Sequence, residues 1–586
     1  MVHFQYLVVL GSALVGKATA AALGTAEEYA DGTVHARIMG MKMAQWDAEI
    51  ASGEMDSTQY PELGYTPCES GFAAAIPGDF NNTFKCHNVD LYHFLPHSML
   101  GSELGQGSSS WGWTSEDGRE FVAIGQYDGT AFAEISSEGK LVYLGRLPPY
   151  DPIGSRWREI RVMRDLAVIG SEAINHGVQI FDMKKLLHLD PAHPKTFTQE
   201  DLTGHWGLTS DWNALPVGRT HNIVINEELN YAVAVGSVGG NETIRVRGDL
   251  PCRGGLIFID MEDPEHPTSP GCASGDGYVH DAQCLVYRGP DEKYYGRDIC
   301  YGYNEDTLTI YDVTDKAGNT TNIISRTSYP GAEYVHQGVV NNVTWQEYVF
   351  LDDEFDERDA KVGPMTQGLP TTHIFDIRDL ENPFYSGNYE GKRRSIDHNQ
   401  YVVDGYIYQS NYGNGLNVLD ARSITHDPSG AGICEAGFFD IYPEDDANEG
   451  GGTVAFLGSW SSYAYFKSGF ILIHTIERGS FVVKMSSKEC PKPAVCAADD
   501  CLTSMRTANV EGRLLASQQF CGNFTQRMYS DESLIPDFAR MACVQEHGDV
   551  VAKVSSACAC VPTLAVPELP RTTSRGPVPT VLPPKV

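Results

Sequence analysis

The stretch HDAQCLVYRGPDEKYYGRDICYGYNEDTLTIYDVTD, residues 280–315, decides the fold. It reads as a strand that opens on a histidine beside a polar residue, a second strand (RDICYGY), a polar turn (NEDT) and a third strand running into an aspartate (LTIYD, Asp312). The same unit recurs about seven times between residues 109 and 484. Four copies open on a histidine pair: His221-Asn222, His280-Asp281, His336-Gln337 and His398-Asn399. Four end on apolar residues and an aspartate: LIFID (Asp260), LTIYD (Asp312), HIFDI (Asp376) and LNVLD (Asp420). β units of fixed period cannot bury both faces alone, so they stack, and stacking in a ring gives a propeller. The expected fold is therefore all-β, a seven-bladed β-propeller. In such a ring, equivalent residues of successive blades gather round one axis, so the repeated histidines are candidates for a single site.

Working outward, the units span Phe121–Leu147, Trp157–Met183, His221–Met261, His280–Asp315, His336–Leu380, His398–Arg422 and Glu435–Met485. Alternation of apolar and polar residues along the strands is weak, as sheets buried on both faces require. The segmentation is a secretory signal over residues 1–20, an N-terminal arm over 21–108, the propeller over 109–487, a cysteine-rich module over 488–561 and a Pro-rich disordered tail over 562–586. The signal rests on an apolar run from Tyr6 to Gly16 and an Ala18-Thr19-Ala20 cleavage site. In the arm, Val34–Ile50 has helical composition with Met and Trp on one stripe, and its expected place is the outside of the propeller.

The 586-residue chain carries a formal charge of −34 with 42% hydrophobic residues. The apolar content is ample for a packed core. The acidity repels phosphates, which argues against nucleic acid as a partner. No stretch beyond the signal is long and apolar enough to span a bilayer, so no transmembrane segment is expected. The even count of 14 cysteines and the five N-x-[ST] sequons at Asn81, Asn241, Asn319, Asn342 and Asn523, all in turn-like contexts, fit a secreted eukaryotic glycoprotein. Cys68 with Cys86, Cys252 with Cys272 and Cys284 with Cys300 read as local staples. Cys434 joins Cys490, Cys496, Cys501, Cys521, Cys543, Cys558 and Cys560 in a set of eight, one bridge of which ties the tail to the last blade; their connectivity stays open. The tail module has short helical stretches and too few residues to dispense with staples.

Several blocks carry a family resemblance. They are SSWGWTSEDGREFVAIGQYDGTAFAEIS, WREIRVMRDLAVIGSEAINHGVQIFD, GYVHDAQCLVYRGPD, YVHQGVV with LDDEFDE, DHNQYV with QSNYGNGLNVLDA, and GSWSSYAYFKSG with ERGSFVV. Across residues 68–484 the chain resembles the choice-of-anchor B family, secreted propellers built on LVIVD repeats. The resemblance implies an exported propeller held at or near the cell surface, with the cysteine module in the position of the family's varied anchors. It implies no biochemical activity.

The candidate chemistry lies on one face. A strand-one histidine and the turn between strands two and three fall on the same side of a blade. That side collects His221, His280, His336 and His398 with Asp281, Asp352, Asp353, Glu354, Glu305, Glu172 and His176. Imidazole suits zinc and other late first-row metals, and carboxylates suit calcium or manganese, so a divalent ion is the cofactor this set could hold. The competing reading is structural, because a buried imidazole needs a partner and a turn carboxylate supplies one. No GxSxG, P-loop, GxGxxG or HExxH motif occurs. The leading function is binding of an extracellular ligand or cell-wall component (a glycan, peptide or small molecule) through the His/Asp/Glu-rich face. A metal-dependent hydrolase or lyase at the channel mouth, and a structural surface protein, are the alternatives.

Overall fold

The computed structural model describes residues 23–490, apart from residue 151, residues 209–214, 239–244 and 247–249, residue 320 and residues 360–367, together with parts of 505–558. Strands dominate it. Seven sheets, each built on four antiparallel strands, follow one another, with innermost strands Gly107–Thr114, Arg158–Met163, Asn222–Asn226, Asp281–Val286, Val335–Val340, Gln400–Val403 and Ser459–Tyr463; Lys195–Thr196 adds a fifth, parallel strand to the first. Each innermost strand touches the next, and the seventh touches the first, so the ring is closed: the fold is a seven-bladed β-propeller. Arg158–Met163 and Val335–Val340 are buried at every position. Blades pack face to face, which leaves little room for polar alternation and explains why period-two patterning is faint in the sequence.

Three boundaries differ from the sequence reading. Blade one begins with Gly107–Thr114, ahead of Phe121. Its serine-rich start, GSSSW, lacks the apolar run of an ordinary inner strand. Cys434–Phe439 is the outer strand of blade six and not the opening of blade seven. Blade seven is completed by Val89–Pro96 from the N-terminal arm, paired with Gly479–Met485 from Pro96↔Gly479 to Val89↔Met485. Pairing the beginning of the chain with its last blade removes a free sheet edge at the seam. Gly107 marks the same seam: a Cβ there would lie 2.1 Å from the Thr475 carbonyl oxygen, so only glycine lets blades one and seven approach. The arm also adds Thr83–His87 and Phe72–Ala74 to blade six.

The helical stretch of the arm is Thr33–Ser52. Asp31 Oδ1 accepts the Thr33 N–H at 2.9 Å, and Gly53, at φ 91°, ends the helix in the left-handed conformation that glycine adopts freely. Its buried face is Val34, His35, Ile38, Met39, Lys42 and Trp46, the three- and four-residue spacing of a single stripe. That stripe does not rest on the outside of the propeller. It faces the end of the ring where strand one begins: His35 meets residues of blades two to five, and Trp46 meets Trp157, Phe456 and Trp460. Trp46 is 1% exposed and donates its indole N–H to the Phe456 carbonyl at 2.7 Å. Burying a tryptophan's roughly 150–250 Å² at about 25 cal/mol per Å² is worth about 4–6 kcal/mol, enough to hold the helix across the mouth.

Disulfides join Cys68–Cys86, Cys252–Cys272, Cys284–Cys300, Cys434–Cys490 and Cys521–Cys558. The bridge from Cys434 reaches Cys490 from blade six, where the sequence reading had attached it to the last blade. The chain divides into one unit up to Cys490 and a second from Pro491. In the second unit the described residues include a helix, Arg513–Thr525, which contains Asn523; that sequon therefore does not lie in a turn. Asn81, Asn319 and Asn342 are exposed. The signal segment, Asn241, Cys496, Cys501, Cys543, Cys560 and the Pro-rich tail fall outside the described residues. Among the described residues no helix is long and apolar enough to cross a membrane.

Candidate functional site

Four blades deliver one imidazole each to a continuous row. Ring centroids are 4.4 Å apart from His221 to His280, 4.3 Å from His280 to His336 and 4.4 Å from His336 to His398. All four are buried. Each Nδ1 is held by an oxygen: His221 by Glu172 at 2.5 Å, His280 by the His336 carbonyl at 2.9 Å, His336 by Asp352 at 2.9 Å, and His398 by the Trp460 carbonyl at 2.7 Å. Carbonyls only accept, so Nδ1 of His280 and His398 carries the proton. Asp352 Oδ1 also accepts the Gln337 N–H, which assigns the same role to it opposite His336. The Nε2 atoms are left as lone-pair donors, and His280 Nε2 is buried with no hydrogen-bond partner. Anchoring one ring nitrogen through an oxygen while freeing the other is how proteins prepare histidine to bind a metal.

The arm contributes two groups that sequence reasoning did not place here. His35 sits 4.8 Å from His221 and 6.1 Å from His280 by ring centroid; its Nε2 meets Glu172 at 3.3 Å and its Nδ1 meets the Tyr334 hydroxyl at 2.9 Å. Lys42 Nζ donates to both oxygens of Glu354 at 2.6 Å. Glu354 also accepts from the Tyr412 hydroxyl, and its oxygens stand 3.8 Å from His336 Nε2 and 3.5 Å from His398 Nε2. The signal was legible: His35 and Lys42 interrupt an apolar stripe at its own spacing. Polar residues there mean either a broken helix or a face that meets polar partners.

The cluster thus has two halves. One ligand atom from each of His35, His221 and His280 lies within 4.8 Å of the others, and the same holds for His336, Glu354 and His398. The second half already holds the Lys42 ammonium. A third group, Asp420 with Cys434 and Cys490, is not a metal site, because its cysteines are bonded to each other. Burial keeps His35, His280, His336 and His398 neutral: it drives the last three well below the usual histidine range and His35 down to about 4. Glu172 behaves differently. Burial opposes its charge, but hydrogen bonds from His221 and His35 hold its carboxyl well below the ordinary range. Among the described residues it has no lysine or arginine partner, so the first half holds a carboxylate and three imidazoles.

The remaining candidates divide. Glu305 stands 3.7 Å from His35 Nδ1, and burial pushes its carboxyl well above the usual value. Asp352 positions His336 and is likewise raised, by burial and then by Asp397. Asp353 turns away, accepting from Tyr329, Glu333, Tyr334 and Phe355, and fixes the chain leaving its strand. Asp281 belongs with Glu159 and Arg161 further along the channel, and burial raises it to about 7. His176 does not join the row: its Nε2 accepts from Arg158 at 2.9 Å and its Nδ1 donates to the Gly177 carbonyl.

A cavity of about 650 Å³ opens onto the first half, reaching His35, Glu172 and Arg219 between the helix and blades one to three. That volume is in the range of small-molecule sites.

No family model matches the chain, and no curated protein matches it. Among solved structures, the β-propeller domain of Cps50 (Swd1) from Myceliophteria thermophila is 10% identical with a TM-score of 0.36, covering 65% of this chain and 96% of that one. The computationally designed Ika8 protein is 8% identical with a TM-score of 0.34, covering 65% and 83%. The fold rests on the strand order above and not on these likenesses.

Proposed function

We propose that the protein is an exported, metal-dependent enzyme acting on an extracellular small molecule at the histidine-lined mouth of the propeller. The observation that carries this reading is the buried, unpartnered Nε2 of His280 within a row whose Nδ1 atoms are all fixed by oxygens. A late first-row divalent ion suits His221 and His280 together with His35, which lines the cavity and would exchange its hydrogen bond to Tyr334 or Glu172 for the ion. Such an ion lowers the pKa of bound water or polarises a substrate oxygen. Glu172, 2.5 Å from His221 and lining the cavity, would hold His221 in place for that ion. The paired cysteines and the resemblance to choice-of-anchor B propellers support export and a place at the cell surface.

A structural reading draws on the Lys42–Glu354 pair, which locks the helix to the row without any ion. Metal analysis of protein purified without chelator or affinity metal separates the two. A stoichiometric ion, lost in His280→Ala and His35→Ala, supports the enzyme. No ion, with each variant losing only thermal stability, leaves the structural hub.

A further inference from the structure

Three exposed large apolar side chains line this cavity at the mouth of the propeller: Met43 (39% exposed), Ile153 (56%) and Ile174 (57%). They come from the helix, from the loop before blade two and from the turn of blade two, so no single local segment explains why they meet. Met39, Trp157 and Val238 continue the wall inward. Apolar side chains exposed around one opening mark a surface that a ligand covers. The two methionines are flexible and suit a chain of variable shape over a rigid ring system.

At the inner end stands Arg219. Its Nε donates to the Val238 carbonyl at 2.7 Å. Among the described residues it forms no ion pair, in a chain of net charge −34 where acidic partners are plentiful. Arg156, the other guanidinium of the cavity, is tied to Asp47 at 2.6 Å and to Gln106. Arg219 therefore offers a planar, bidentate donor at the polar end of an apolar cavity, beside His35 and Glu172.

We infer that the cavity binds an amphiphilic carboxylate, its headgroup on Arg219 and its hydrocarbon body against Met39, Met43, Ile153 and Ile174. This inference names the substrate class for the metal-centre reading and rests on it for catalysis, though binding is measured apart from metal content. The headgroup then lies at the His35 end and brings the carbons next to it towards the triad.

Calorimetric titration with dodecanoate and with dodecanol tests it, on protein whose metal content is measured in parallel. Dodecanoate is expected to bind about tenfold or more tightly than dodecanol, the range for one charge-assisted contact. Arg219→Gln should remove that preference and Arg219→Lys restore part of it. Ile174→Glu, at an exposed position where folding is not at risk, should weaken both ligands. Equal binding of acid and alcohol, no binding of the acid, or an unchanged preference in Arg219→Gln overturns the inference. Dodecanoate binding with the Arg219 dependence intact, by protein that holds no metal even when purified without chelator, would leave this inference standing and defeat the metal-centre reading. A stoichiometric metal with no dodecanoate binding would do the reverse.

Discussion

Lys42 Nζ lies 2.6 Å from each oxygen of Glu354, and the two residues are 312 positions apart. The pair joins a helix that precedes the propeller to the connection after the second strand of blade five. Both side chains are withdrawn from water: Lys42 is 1% exposed and Glu354 0%. A buried ion pair is weak evidence of net stability, but breaking one leaves a lone buried charge. This contact therefore acts as a latch, and it puts a fixed cation where His336 and His398 would otherwise share Glu354 with a metal.

Replacing Lys42 with methionine should expose that dependence. In chelator, Lys42→Met is expected to lose about 3–5 kcal/mol, the cost of leaving the Glu354 carboxylate unpaired. Divalent metal should recover a larger part of that loss in the variant than it adds to wild type, because Glu354, His336 and His398 become an available ligand set. Urea unfolding with and without metal measures both. Equal metal effects in the two proteins would show that Lys42 does not occupy a cation position.

His176 supplies the internal control. It is as buried as His280, yet its partner is the Arg158 guanidinium. His176→Ala should cost stability with metal stoichiometry unchanged, while His280→Ala should lose the metal. Loss of metal in both would point to a general collapse of the mouth.

Glu172→Gln keeps the shape of the side chain and removes its charge. Oxygen partners of metal-ligating histidines typically carry 10–100-fold in affinity, so a loss of about that size is expected in competition with a chelator. His221 and Glu172 share one hydrogen bond, so the single substitutions should not be additive.

The pH dependence follows from two opposed groups. Burial holds the folded pKa values of His280, His336 and His398 below the usual histidine value of about 6.5, so the unfolded chain binds more protons below about that pH. They therefore cost stability as pH falls below about 6.5, and they are silent above it. Asp281 and Asp440 are raised by burial to about 7, and burial also holds Glu305, Asp352, Glu357 and Asp397 well above the usual carboxyl range. These carboxyls hold their protons in the folded state, so their contribution is fully present below the unfolded carboxyl range and is lost as pH rises through the folded values. Above about pH 7 only the carboxyls act. Melting temperature in chelator should fall as pH rises through about 7, and a bound divalent ion should flatten that fall. A melting temperature that rises there contradicts the assignment.

The blade-seven seam makes a separate prediction. Phe94 is 2% exposed, and its ring centroid lies 4.3 Å from that of Phe481 with the planes tilted by 37°. Phe94→Ala should cost about 3–5 kcal/mol, as other buried aromatic truncations do, read by urea unfolding. A cost below about 1 kcal/mol would mean that the arm strand is dispensable for closing the ring.

What the chain states locally is the blade. Histidine, strand, strand, acidic turn and strand recur with a spacing that any reader of the sequence can count, and that spacing specifies hydrogen-bonded neighbours a few residues apart. It also specifies that four imidazoles return to equivalent positions on one axis. What it does not state is which separate surfaces meet. The strand that closes blade seven lies almost 400 residues from its partner, as Pro96↔Gly479 shows, and pairing over such a distance leaves no periodic trace. His35 and Lys42 sat in an apolar stripe whose partner surface was invisible, because helical periodicity defines a face and not what covers it. The choice among carboxylates was tertiary as well. Glu172, Asp352 and Glu354 reach the row, whereas Asp353 turns to its own backbone and His176 to Arg158. Residues one or two positions apart in a turn point in different directions, and only packed neighbours decide which of them reaches the axis.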